Sequence, residues 1–247
     1  MINKILKNFD LQLTKISKQI TSFPDFENEF SAILNHCKPF TMTSEERLYS
    51  LYKSTEYVSK NNIEGDIVEC GVWRGGSTMC ALITLKNLNN LKRKIYLYDT
   101  FEGMSEPTEK DADLSGKNAR QLLIQSEKTK EDMMWCYAPL DDVKKNIAST
   151  GYPSEKVIYV KGKVEETIPQ TLPDNISILR LDTDWYESTY HELKYLFPKL
   201  VKGGVLIIDD YGHWKGAREA VDQYFEENKI QMLLNRIDYT GRIGIKM

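Results

Sequence analysis

Short apolar runs that stop beside an acidic residue recur along this chain, and helix-length stretches separate them. Asp66-Ile67-Val68-Glu69-Cys70 is the first, and Lys94-Ile95-Tyr96-Leu97-Tyr98-Asp99 the second. Ile176 to Leu181 runs into Asp182-Thr183-Asp184, and Val205 to Ile208 into Asp209-Asp210. Apolar runs this short, without alternation, suit strands covered on both faces. The stretches from Ser77 to Leu88, Glu187 to Leu200 and Gly216 to Glu227 carry helical spacing. Strand and helix in alternation predict an α/β fold with a mostly parallel sheet and helices on both faces. Ligands of such sheets bind outside the carboxyl ends of the strands, and the acids stand at that edge.

The remaining elements fill in this plan. Thr43-Ser44-Glu45-Glu46 reads as a helix cap, and Leu48, Leu51, Tyr52, Thr55 and Val58 as the stripe behind it. A helix is expected from Leu140 to Ser149, a strand from Lys156 to Val160, and a short helical connection from Glu165 to Leu172. Ile230–Leu234 and Arg242–Lys246 read as a closing antiparallel pair turned at Thr240-Gly241. The polar stretch from Glu102 to Ser126 is long for a plain connection and reads as an active-site loop or lid. The division expected is a helical N-terminal arm over residues 1–42 and one α/β domain over 43–247. Within the arm, Ile2, Ile5, Leu6, Phe9, Leu11 and Leu13 are spaced as an amphipathic helix. Such a face packs on the body or on a second subunit, so a homodimer or larger homo-oligomer is expected.

Composition narrows the class of partner. The chain has 247 residues and a formal charge of −3, from 33 basic and 36 acidic residues. That balance gives no electrostatic case for nucleic acid or an anionic membrane. No long apolar core marks a signal peptide or a membrane span. Cys37, Cys70, Cys80 and Cys136 are scattered without CxxC spacing, which suits a reducing cytoplasm.

Between the first run and the first helix lies Gly71-Val72-Trp73-Arg74-Gly75-Gly76-Ser77. Glycines here let the backbone approach a ligand and turn into the helix. Neither GxGxxG nor the P-loop pattern is present, so a phosphate grip is not expected. Asp99 ends the second run, where a carboxylate takes ribose hydroxyls. Glu69 ends the first, beside the place for a cationic amino-acid group. A nucleoside that carries an amino acid and no phosphates points to S-adenosylmethionine. Arg74 has two readings, a grip on the methionine carboxylate or a surface ion pair.

Four carboxylates at two neighbouring strand ends repel one another unless a cation sits among them. Oxygen ligands without His or Cys favour Mg²⁺ over Zn²⁺. Such an ion lowers the pKa of a hydroxyl and fixes its oxygen. Asp184 has a plainer reading as the cap of the helix that follows. His213 reads as a loop histidine or an acid/base group. Trp185, Tyr186, Tyr211 and Trp214 read either as stacking surfaces or as packing. Asp182-Thr183-Asp184 is also a DxD motif, which leaves a metal-dependent nucleotide-sugar glycosyltransferase as the rival activity.

Taken together, GDIVECGVWRGGST, IYLYDTFEGM, RLDTDWYEST and GGVLIIDDYGHWKGAREAVDQYF resemble the macrocin-type sugar O-methyltransferases. The likeness spans roughly Phe40 to Phe225, and FTMTSEERLYSLYKSTEYVSKN belongs to it. It implies a class I methyltransferase, Rossmann-like, that moves a methyl group from S-adenosylmethionine to a sugar hydroxyl with Mg²⁺. It implies Asp182, Asp209 and Asp210 as metal ligands and Asp184 as general base. The alternative at Asp184 is a further metal ligand with water as base. Glu69, Gly71, Gly75, Gly76, Ser77, Asp99, Phe101 and Gly162 are the expected cofactor-binding positions.

Overall fold

The computed structural model describes residues 23–247. The amphipathic segment of residues 2–13 lies outside them. Strands β1 (Asp66–Cys70), β2 (Ile95–Asp99), β3 (Val157–Lys161), β4 (Ile176–Leu181) and β5 (Leu200–Ile208) are parallel to one another. Two more strands, β6 (Asn235–Arg236) and β7 (Arg242–Ile245), complete a seven-stranded sheet of order β3-β2-β1-β4-β5-β7-β6. β7 runs antiparallel to both β5 and β6. The α/β expectation therefore holds, with one closing antiparallel hairpin.

The period of two along each strand divides the core between the two faces. Ile67, Leu97, Ile178, Val205 and Ile207 point to one side. There they meet α1 (Asn28–Cys37), α2 (Glu45–Lys60) and α3 (Gly76–Asn87) through Phe30, Leu48 and Leu82. Val68, Tyr98, Leu179, Leu206 and Ile208 point to the other, against Leu193, Leu196 and Val221. Those three belong to α7 (Tyr186–Leu196) and α8 (Lys215–Glu227). Three shorter helices, α4 (Ala119–Ile124), α5 (Leu140–Ala148) and α6 (Val164–Thr167), lie in the connections. No helix among the described residues is long and apolar enough to cross a membrane.

Two sequence expectations need correction. Residues 230–234 are not a strand; the outer arm of the hairpin is only Asn235–Arg236. Apolarity there serves packing instead, with Ile230, Met232 and Leu234 lying against the α7–α8 core. The stretch from Glu102 to Ser126 is not wholly irregular either. It contains α4, capped by Asn118 accepting from the Gln121 amide.

The chain builds outward from β1 to β3, then returns to lay β4 on the other side of β1. Cys70, Leu181 and Ile208 end in register. Sheet bonding continues one residue further. The Asp182 amide donates to Cys70 O at 2.8 Å, and the Asp209 amide to Leu181 O at 2.9 Å. Gly71, Asp182 and Asp209 thus stand abreast at the switch of strand order, the usual ligand crevice of this architecture.

Candidate active site

A cavity of about 350 Å³ opens at this edge. One end is lined by Gly71, Val72, Trp73, Ser77, Asp99, Thr100, Gly162 and Lys163. The other end is lined by Met42, Thr43, Asp182, Asp184, Asp210, His213, Trp214 and Tyr239, with Met104 from the polar lid and Met133 and Met134 from the residues that follow it. Glycine is required at the first end. Gly71 has φ +81°, and a Cβ there would overlap the Asp182 carbonyl oxygen.

Asp99 reaches the cavity, yet its oxygens are largely spoken for. Oδ2 accepts from the Val72 and Trp73 amides at 2.6 and 3.1 Å, and Oδ1 from the Phe101 amide at 2.6 Å. A carboxylate has about four acceptor sites, and Thr100 Oγ1 approaches Oδ1 at 3.5 Å as the fourth donor, so a ligand hydroxyl would displace that weakest contact. Burial pushes its pKa up, against those three amides. Glu69 and Phe101 do not line the cavity. Glu69 is 3% exposed and Phe101 2%. Glu69 instead accepts from Thr78 Oγ1 and the Arg180 guanidinium. Gly75 and Gly76 shape the entry of α3 from behind. Gly76 packs on Phe40, and Gly75, at φ +89°, on Ile147. Arg74 points away: it stacks 4.6 Å from the Trp73 ring centroid and donates to Lys130 O.

The four aspartates divide, along a line the sequence did not suggest. Asp182, Asp184 and Asp210 each offer a carboxylate oxygen within 4.8 Å of the others. Asp209 also lines the cavity, but its carboxylate is engaged in a buried ion network. Its Oδ1 accepts from Arg180 Nη2 at 2.6 Å, and its Oδ2 pairs with Arg47. Arg180, 2% exposed, also holds Glu69 Oε1 and Asp182 Oδ2, each at 2.7 Å. Arg47 continues to Asp238 Oδ2 at 2.9 Å. Two guanidiniums therefore face Glu69, Asp182, Asp209 and Asp238, and among the described residues no cation pairs with Asp184 or Asp210. Burial first, then their neighbours' charge, raises Asp182 and Asp210 well above the carboxylate range and Asp184 to about 7. Asp210 Oδ2 is buried and has no hydrogen-bond partner among the described residues. A divalent cation fits that orphaned oxygen and the all-oxygen donor set.

The backbone at Asp184 is unusual. The Trp185 amide donates to Thr183 O at 2.8 Å, and Asp184 between them has φ +69°. That is the geometry of a γ-turn with a positive central φ, a rare and strained one. Trp185 settles as packing: it is 1% exposed and meets Trp214 edge-on at 4.9 Å. His213 stays at the rim, with Nδ1 3.3 Å from the Tyr239 hydroxyl. Sequence reasoning passed over Arg47, Arg180, Met104, Met133 and Met134. Arg180 carried a signal, being a cation inside an otherwise apolar strand. Arg47 carried none, because its partners lie 162 and 191 residues away.

An open parallel sheet, a glycine turn after β1 and an acid ending β2 define a class I methyltransferase, and this chain is an S-adenosylmethionine-dependent O-methyltransferase. The chain belongs to the macrocin-O-methyltransferase (TylF) family, which it matches over residues 36–243. One relative is the 8-demethyl-8-(2,3-dimethoxy-alpha-L-rhamnosyl)-tetracenomycin-C 4'-O-methyltransferase of Streptomyces olivaceus. It is 33% identical over 201 residues, covering 81% of this chain and 73% of the relative. The demethyldecarbamoylnovobiocin O-methyltransferase of Streptomyces niveus is 31% identical, with the same coverage. Among solved structures, the O-methyltransferase NovP superposes with a TM-score of 0.73 at 29% identity, over 84% of this chain and 82% of its own. None of these likenesses favours the glycosyltransferase reading of Asp182-Thr183-Asp184.

Proposed function

We propose that this enzyme methylates a sugar hydroxyl, on a glycan or a glycosylated natural product, with Mg²⁺ as its metal. The carboxylate cluster of Asp182, Asp184 and Asp210 carries the reading, together with the orphaned Asp210 Oδ2. Support for the acceptor class comes from the relatives, one of which is named for a rhamnosyl-tetracenomycin and another for mycinamicin III.

Asp182 and Asp210 would hold the Mg²⁺, and the ion would supply the charge that acidifies a hydroxyl. Everything else falls to the protein. Gly71 to Trp73, Ser77 and Gly162 shape the end of the cavity for the methyl donor, with Asp99 Oδ1, where Thr100 Oγ1 is the weakest donor, for its ribose. Met104, Met133, Met134 and Trp214 exclude water from the reacting end, which strengthens the electrostatics there. Alignment of the hydroxyl with the donor methyl supplies much of the rate. Asp184 receives the hydroxyl proton. Asp209 serves here as the anion that fixes Arg47 and Arg180, more than as a ligand.

A second reading has its own observation. Asp184 lies within the same 4.8 Å cluster, so it also suits a third ligand, with water as base. Calorimetry separates the two. Asp184→Asn that binds Mg²⁺ like the parent but loses turnover makes it the base; loss of Mg²⁺ affinity makes it a ligand. Titration with S-adenosylmethionine and with a uridine-diphosphate sugar, each with and without Mg²⁺, tests the function itself. Binding of the nucleotide sugar alone would sink it.

A further inference from the structure

Asp111 belongs to the polar lid, far in sequence from either aspartate pair. Its side chain is nevertheless fully buried, at 0% exposure. Oδ1 accepts from the Tyr186 amide at 2.8 Å. Oδ2 accepts from the Thr108 amide at 2.7 Å and from Thr108 Oγ1 at 2.8 Å. Tyr186 is the first residue of α7, and Trp185 at the cap position contributes no side-chain bond of its own. The cap of this helix therefore comes from a carboxylate 75 residues earlier. A carboxylate at a helix N-terminus satisfies an otherwise orphaned amide and favours the helix dipole.

The capped amide lies two residues after Asp184. The turn at Asp184, with φ +69°, persists only if its surroundings hold both ends. On one side, the Asp182 amide is tied to Cys70 O. On the other, the lid supplies both restraints: Asp111 takes the Tyr186 amide, and Ser105 O takes the Trp185 indole N–H at 3.0 Å. Space around Asp111 is full as well, since a Cβ on Gly216 at the start of α8 would overlap its Oδ1. The lid backbone is pinned there again, by the Lys215 amide donating to Ala112 O at 2.9 Å.

We propose that Asp111 is a positioning residue: by capping α7 from the lid, it holds Asp184 in the strained turn that brings its carboxylate to Asp182 and Asp210. The proposal rests on the metal-assisted reading above. It makes the lid a part of the carboxylate cluster and not only a cover.

The full chain, Asp111→Ala, Asp111→Asn, Tyr186→Pro and Tyr186→Ala are compared. Asn keeps an oxygen for the cap, whereas proline removes the donated N–H at a first-turn position that tolerates it. Tyr186→Ala, which loses the same phenol and its bond to Gln223 but keeps the N–H, is the reference for it. Titration with MgCl₂ alone should show at least tenfold weaker binding for Asp111→Ala and Tyr186→Pro, and recovery to within about threefold for Asp111→Asn. S-adenosylmethionine affinity should stay within twofold throughout, which a general loss of structure would not allow. Parent-like Mg²⁺ affinity in both Asp111→Ala and Tyr186→Pro overturns the proposal, as does a matching fall in donor affinity. Should Asp111→Ala fail to fold, Tyr186→Pro against Tyr186→Ala decides alone. Amide exchange at Trp185, relative to the β4 amides, should accelerate in every variant that loses the cap; unchanged exchange also overturns the proposal. A parent chain that binds neither Mg²⁺ nor the donor defeats the functional reading, while the exchange comparison still decides this one.

Discussion

At the scale of single residues, the site is an electrostatic balance centred on Arg180. Its guanidinium is buried against Glu69, Asp182 and Asp209. Removing one member of such a network strands the others' charges in low dielectric, at a cost of about 3–5 kcal/mol. Arg180→Met should therefore lower the free energy of unfolding in urea by that amount, through a lower midpoint at an unchanged slope. Asp184→Asn is the opposite kind of change. It keeps the shape and removes the proton acceptor, so turnover of an acceptor that the parent methylates should fall about 10²–10⁴-fold. Stability in urea should shift far less. The sequence made the four aspartates conspicuous, because each pair follows an apolar run. It did not show which of them lacks a counter-charge. That depends on Arg47, whose helix reaches the sheet edge only in the folded molecule.

At the scale of elements, strand ends and turns were readable and their partners were not. β4 runs from Ile176 to Leu181 as its apolar run predicts, and α2 starts where Ser44 accepts from the Arg47 amide. Residues 230–234 misled because apolar spacing alone does not tell a strand from a packed connection. The lid was legible as an interruption of periodicity, and its attachment through Asp111 was not, since a cap supplied from another element leaves no local pattern. The close contact of β1 with β4 yields a prediction here. Gly71→Ala forces a side chain against the Asp182 carbonyl at a φ of +81°. Strain of this kind costs on the order of 1–3 kcal/mol before any clash is relieved. The variant should lose stability by at least that much, and donor affinity with it, both measurable by calorimetry.

At the scale of the whole molecule, ligands that bind only the folded chain should stabilise all of it. At a hundred times its dissociation constant, a ligand adds about 2.7 kcal/mol. For a domain of this size that raises Tm by roughly 5–10 °C. In the function proposed, S-adenosylmethionine and Mg²⁺ bind at different ends of the cavity, so each should give its own shift in differential scanning fluorimetry. A chelator should reverse the second shift only. Asp182→Asn should abolish the Mg²⁺ shift and keep the donor shift; a variant that keeps both removes Asp182 from the metal site.

The pairing of Arg47 with Asp209 and Asp238 has a consequence for how the enzyme comes into being. Ser44 and Arg47 stand at the start of α2, and Asp238 stands in the last hairpin, 191 residues from Arg47. During synthesis, β1 to β5 and the glycine turn all leave the ribosome before the residue that completes this clasp. A chain arrested before residue 238 would carry every aspartate of the cluster, with Arg47 still short of one carboxylate. The charge arrangement at the reacting end is thus finished only after all five parallel strands have been made, and contacts of such high sequence separation are slow to form. Methylating capacity in a nascent chain should then appear abruptly, as the β6–β7 hairpin docks, and not in proportion to the length already made.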